Sequence, residues 1–138
     1  SFPTRRSSDL EGRGWIVSLN TLAPIDRVIA NYVDDKTLRT SIEDFFLHYK
    51  KGQWLYPAVL VQKFRCPLGT SYRIMHDMEK EGFLKSYYEM VCPCCGYSAL
   101  KVEVFNQIPD YIICERCETE FSAIENSRII FQVIHDVR

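Results

Sequence analysis

Six cysteines are the residues of this 138-residue chain whose types and spacing carry chemistry. Four of them form two Cys-x-x-Cys pairs, Cys92 and Cys95 within Cys92-Pro93-Cys94-Cys95-Gly96, and Cys114 and Cys117 within Cys114-Glu115-Arg116-Cys117, with eighteen residues between the pairs. A tight turn bearing such a pair grips an ion from one side, and a second turn closes the other. The spacing therefore predicts a tetrahedral Zn²⁺ held by four sulfurs with no open position. A site closed in this way has no room for water, so its expected role is structural: it supplies folding energy and activates no nucleophile. Cys94 cannot share a knuckle with Cys92 and is expected to be a free thiol on the turn. Cys66, far from both pairs, is expected to be a small buried hydrophobe. His48, His76 and His135 stand in no ligand spacing and are expected to be structural or solvent-exposed. A phosphate-cradling glycine loop, a Gly-x-Ser-x-Gly elbow, a His-Glu-x-x-His helix and a deaminase-type His-x-Glu are all missing from the sequence. The expectation is a chain that is not an enzyme.

Pairing within Cys-x-x-Cys units, without the charged, apolar and small-residue order of a signal peptide, favours a reduced compartment over a disulfide framework. No apolar run approaches the roughly 18 residues of a membrane span, so the cytoplasm is the expected address and no membrane partner is expected. Net charge is −1, which excludes binding to nucleic acid by bulk charge alone. Its distribution is uneven. Residues 35–91 hold nine Lys/Arg against seven Asp/Glu, whereas residues 92–138 hold four against seven. A basic half precedes an acidic one that carries the cysteine pairs.

The elements that must position the cysteines follow from periodicity. Residues 1–10, Ser-Phe-Pro-Thr-Arg-Arg-Ser-Ser-Asp-Leu, resemble the translation of a sequencing-library adapter and are set aside as adapter-derived or disordered. Residues 11–34 form an N-terminal extension consistent with the remnant of an upstream region. Its Trp15–Leu19 run is too short to assign. From Pro24, the residues Ile25, Val28, Ile29 and Tyr32 recur at helical spacing, and Asp34-Asp35 can cap a second helix whose stripe is Leu38, Ile42, Phe45, Phe46 and Tyr49, stopped by Lys50-Lys51-Gly52. A short strand at Trp54-Leu55, a brief helix opened by Pro57, a turn at Arg65-Cys66 and a third helix from about Pro67 to Gly82 follow. In that third helix Tyr72, Met75 and Met78 are expected to face inward with Ile74 flanking them. The segment Phe83–Val91 reads as a strand delivering the chain to Cys92. Beyond it, Leu100, Val102 and Val104 alternate with charges and are expected to form a hairpin with Tyr111–Ile113, across a turn at residues 106–110. The last strand, residues 128–135, is apolar on both faces, is expected to be covered on both, and is placed beside the strand at residues 84–91.

The run Ser71-Tyr-Arg-Ile-Met-His-Asp-Met-Glu-Lys-Glu-Gly-Phe-Leu84 is similar to the recognition helix and following strand of winged helix-turn-helix proteins, a resemblance that spans residues 36–91. Cys92-Pro-Cys-Cys-Gly96 resembles the first knuckle of a zinc ribbon, a likeness that covers residues 88 to about 135; Glu118 stands where the second knuckle usually has glycine. The resemblances imply an α+β fold, a winged-helix-like module over residues 35–91 followed by a zinc ribbon of short antiparallel strands over 92–138. Similar architecture occurs in transcription-factor-E-like proteins. They also imply a transcription-related module that binds double-stranded DNA. Thr70, Ser71 and Arg73 would lie at base edges or phosphates, and Lys63, Arg65, Lys80 and Lys85 at phosphates. The alternative is an adaptor that meets a protein partner through the acidic ribbon, as the tail of a longer protein.

Overall fold

The computed structural model describes residues 24–135, so the adapter-like segment and the Trp15–Leu19 run lie outside the described residues. Helix α1 occupies residues 24–30 and buries Ile25, Val28 and Ile29, as its spacing predicts. Asp35 caps α2 (Lys36–Leu47) by accepting from the amides of Thr37 and Leu38 at 2.9 and 3.4 Å. This satisfies two of the donors a helix start leaves open. The helix ends at Leu47, earlier than expected. Tyr49 packs from the turn beyond it, and Gly52 uses its left-handed conformation (φ +94°) in the turn that leads into β1 (Trp54–Leu55). Helix α3 (Ala58–Phe64) stops at Arg65, which is itself left-handed at φ +56°. Pro67 then precedes α4 (Leu68–Lys80), and Gly82 (φ +85°) turns the chain into β2 (Leu84–Val91).

The buried stripe of α4 is Ser71, Ile74, Met75 and Met78. Ile74 is therefore a core residue and not a flanking one, and Tyr72 is only half-buried. The shift arises because α4 is held between α3 and β2, which together enclose a wider arc than a single neighbour would.

After β2 come β3 (Ser98–Val102), β4 (Tyr111–Ile113), β5 (Glu120–Ser122) and β6 (Ser127–Val133). All pairings are antiparallel, and the fold is α+β with a strand-rich C-terminal part. One sheet has the order β1-β6-β2-β3, and β4-β5 is a separate two-stranded sheet. The last strand lies beside β2 as expected, in register from Leu84↔Val133 to Met90↔Ser127. It sends Phe131 and Val133 into the core shared with Phe46, Leu60 and Met75. It is not covered on both faces throughout: Ile129 and Ile134 remain 38% and 39% exposed. The expected hairpin between residues 100–104 and 111–113 does not form. β3 pairs with β2 and β4 with β5, because each Cys-x-x-Cys turn closes its own hairpin and so dictates the strand partners on either side of it. Residues 105–107 form a single 3₁₀ turn between the two hairpins.

Glu89 is the buried charge of the sheet, 1% exposed. It accepts from Arg128 Nε at 2.8 Å, Ser98 Oγ at 2.7 Å and Tyr56 OH at 3.3 Å, with Lys101 Nζ at 3.7 Å. These partners come from β6, the β3 hairpin and the segment after β1, so one carboxylate ties three parts of the chain together. Burial alone would raise its pKa, but the hydrogen bonds from Ser98 and Arg128 and the two cations outweigh it and hold the carboxyl below the usual range. Among the described residues, no helix is long and apolar enough to cross a membrane.

Candidate metal centre

The two knuckles share one backbone design. In the first, the Cys92 amide donates to the Tyr97 carbonyl and the Gly96 amide to the Cys92 carbonyl, both at 2.9 Å. In the second, the Cys114 amide donates to Thr119 at 2.9 Å and the Glu118 amide to Cys114 at 2.8 Å. The residue after each second cysteine is left-handed, Gly96 at φ +78° and Glu118 at φ +65°. Glycine adopts this conformation without penalty. Glu118 does so against its own preference, because the knuckle geometry requires it.

The turns bring Cys92, Cys95, Cys114 and Cys117 together, with all four sulfurs within 4.8 Å of one another. Cys92 Sγ lies 3.5 Å from Cys117 Sγ, and Cys95 Sγ 3.6 Å from Cys114 Sγ. A tetrahedron of metal–sulfur bonds of about 2.3 Å has edges of about 3.8 Å, so the residues present fit a four-thiolate metal site. Each close pair takes one sulfur from each knuckle, which is what two gripping turns require. Cys92 and Cys114 are buried with Met90, Phe121 and Ala123 in a small second core, and Cys95 lies at the surface.

The four thiols are electrostatically unequal. Hydrogen bonds from the hydroxyl and the amide of Thr119 stabilise the Cys117 thiolate and pull that thiol down to about 6. Cys95 is favoured as thiolate by the Tyr97 backbone, but burial and the three neighbouring sulfurs override this and push it up to about 12. Burial raises Cys114, yet the amides of Cys117 and Arg116 and the Cys95 thiol bring it below its ordinary value; the Arg116 amide stands 3.4 Å from its sulfur. Four sulfurs this close cannot all ionise unless a cation sits among them.

Cys94 is exposed and outside the cluster, and Cys66 is buried in the helical core, where burial pushes its thiol up. No histidine joins the sulfur group. His48 Nδ1 lies 2.7 Å from the Asp44 carbonyl, and His76 stands 3.8 Å from Glu79.

The residues expected at nucleic acid are only partly brought together. Arg73 and Lys80 are exposed on the outer face of α4, with Lys63 and Arg65 exposed just before it and Thr70 half-buried near its start. Ser71 is not on that surface. It is fully buried, and its hydroxyl donates to the Pro57 carbonyl at 2.5 Å, which locks α4 to the start of α3. Lys85 also stands apart. It lies on the sheet face turned away from the core, with Nζ 2.6 Å from a Glu103 carboxylate oxygen and 5.6 Å from the Tyr87 ring centre, so its charge is already engaged. Sequence reasoning missed Thr119 and Glu89, for which the sequence carries no signal; it noted Glu118 in the glycine place, and the structure shows that this residue takes the glycine's left-handed conformation. No protein-family model matches the chain, and neither a curated protein nor a solved structure does.

Proposed function

We propose that this chain is a DNA-binding, transcription-related module of the winged-helix class, with a zinc ribbon inserted where the wing would turn. The observation that carries the reading is α4: its inner face is packed against α3 and β2, while Arg73, His76 and Lys80 form an exposed ridge with Lys63 and Arg65 beside its start. The order of elements supports it. A three-residue turn joins α3 to α4, as in helix-turn-helix pairs. The strand before α3 pairs with β6, which returns beside β2, and both knuckles lie between β2 and β6. Arg73 is the residue for base edges, since its fork can bond guanine at two points; Lys63, Arg65 and Lys80 serve phosphates. Thr70 has a secondary place at the edge of the ridge.

The metal we assign is Zn²⁺ in a structural role. Four sulfurs in tetrahedral reach suit zinc or iron, and the sulfurs occupy every position, which leaves none for substrate. Metal analysis of the purified protein distinguishes the two ions, with one zinc per chain expected.

The test of the DNA reading is a titration with duplex DNA at 50 and 200 mM salt. Affinity should fall steeply between the two, and Arg73→Ala with Lys80→Ala should weaken binding and flatten the slope of log K against log salt by about 2. No binding, or binding indifferent to salt, overturns it. A second reading, a protein contact through the ribbon, is favoured by one observation: Asp110, Glu115, Glu118 and Glu120 are exposed around the second knuckle with no ion-pair partner among the described residues.

A further inference from the structure

In the two-stranded hairpin that carries the second knuckle, β4 is an edge strand that pairs with no described strand but β5. The Cys114 amide bonds to Thr119 and the Ala123 amide to Asp110, and the register between them is Tyr111↔Ser122, Ile112↔Phe121, Ile113↔Glu120. In an antiparallel pair, residues alternate between exchanging hydrogen bonds with the partner and pointing their N–H and C=O groups away from it. Asp110, Ile112 and Cys114 are the bonded positions. The amides and carbonyls of Tyr111 and Ile113 therefore face outward along the free edge of β4, and no described residue bonds to them.

The side chains of the same two residues are exposed as well, Tyr111 by 66% and Ile113 by 65%, while Ile112 between them faces the small core. Glu120 sits directly across from Ile113, Asp110 precedes Tyr111, and Glu115 and Glu118 close the knuckle end. The hairpin's one cation, Arg116, is drawn over the Tyr97 ring at 5.7 Å. Natural edges are commonly blunted by lysine, proline or a bulge. Tyr111-Ile112-Ile113 carries none of these.

We propose that the outer edge of β4 is a strand-addition site for an extended segment of a protein partner with alternating basic and apolar side chains. Main-chain bonds to Tyr111 and Ile113 would supply the pairing, and their side chains would pack against the apolar residues; Asp110, on the opposite face with Ile112, would select lysine or arginine at the alternate positions, while Glu115, Glu118 and Glu120 add negative potential around the edge. The charge excludes other occupants. A second copy of this chain would set the same carboxylates against each other, and the phosphates of nucleic acid or of an anionic lipid surface would be repelled. The proposal deepens the reading of the ribbon as a protein-contact surface and is independent of α4, so its failure leaves the DNA titration untouched.

The test is fluorescence anisotropy with the metal-loaded full chain and three labelled nine-residue peptides. The first alternates lysine and valine, the second is its copy N-methylated at every other residue, and the third replaces lysine by glutamate. The first should bind at least tenfold more tightly than either of the others. Ile113→Pro removes an N–H that points to solvent, a position where a strand edge tolerates proline, and should weaken binding at least tenfold. If that variant loses metal, Tyr111→Thr combined with Glu120→Lys replaces it, with the same expected loss. Absence of binding at millimolar peptide overturns the site. Equal binding of the N-methylated copy, or binding unchanged in the variants, reduces the contact to nonspecific charge and also overturns it.

Discussion

Removing the metal should unfold the ribbon and leave the helical module standing. The small core beneath the knuckles consists of Met90, Cys92, Cys114, Phe121 and Ala123, and two of these five belong to the four-sulfur cluster. Without the ion, thiols crowded within 4.8 Å lose the partner that offsets their desolvation and mutual repulsion, and the residual apolar contact is too small to fold alone. β6 is in a different position. It bonds along the whole of β2 from Leu84 to Met90 and buries Phe131 and Val133 in the large core. When the knuckle region opens, roughly 35 residues between Val91 and Ser127 become a flexible loop in place of a tight hairpin turn of about 5, nearly three doublings at about 0.6 kcal/mol each. The module thus loses about 2 kcal/mol, less than the 5–15 kcal/mol typical of a folded domain. Hydrogen exchange with and without chelator measures this directly. Amides of β3, β4 and β5 should lose protection on chelation, while those of Ile74–Met78 and of the β2–β6 ladder keep it. Loss of protection in α4 as well would show that the metal holds the whole chain, and retained protection in β4 and β5 would refute the metal's structural role.

The ligand assignment predicts that Cys92→Ser or Cys117→Ser releases the metal, whereas Cys94→Ser leaves one ion per chain by metal analysis. Glu118→Gly relieves a left-handed residue whose cost is about 1 kcal/mol, so the melting temperature should hold or rise, while Gly96→Glu should lower it. Glu89→Gln should destabilise by on the order of 2 kcal/mol, below the usual loss for a broken buried pair because Arg128 is half-exposed. Since the folded pKa of Glu89 is depressed, its contribution is present above the unfolded value of 4.5 and is lost as pH falls below it; the wild type should weaken there and the variant should not. Glu43 has the opposite sign. Burial and a hydrogen bond shared with Asp26 push it up to about 7, so the folded state holds the extra proton and stability drains away as pH rises from 4.5 to 7. Glu43→Gln should flatten that decline in a denaturant series across the window.

Much of this was legible in the sequence for identifiable reasons. The helical repeats at Ile25–Ile29 and Leu38–Phe46 and the four clustered cysteines are local patterns, and a strand as apolar as Arg128–Val133 had to find a buried neighbour. What failed was partner choice. Alternation at Leu100 and Val102 reveals a strand but not its mate, and here the knuckle, not the intervening turn, selects it. Ser71 failed differently. A small hydroxyl near a helix start looks solvent-facing, yet the Pro57 carbonyl, which already accepts from the Leu60 amide, keeps a second lone pair turned toward α4, and the buried serine meets it.

Glu89 ties the β3 hairpin of the first knuckle to the helical module. Its partners Ser98 and Lys101 belong to the β3 hairpin of the first knuckle, Arg128 to the strand that re-enters the helical core, and Tyr56 to the segment ahead of α3. The β2–β3 ladder and apolar contacts alone would fix the register of that hairpin less strictly. A buried carboxylate with three hydrogen-bond donors and a nearby ammonium strongly favours one arrangement, because any shift leaves a desolvated charge unpaired.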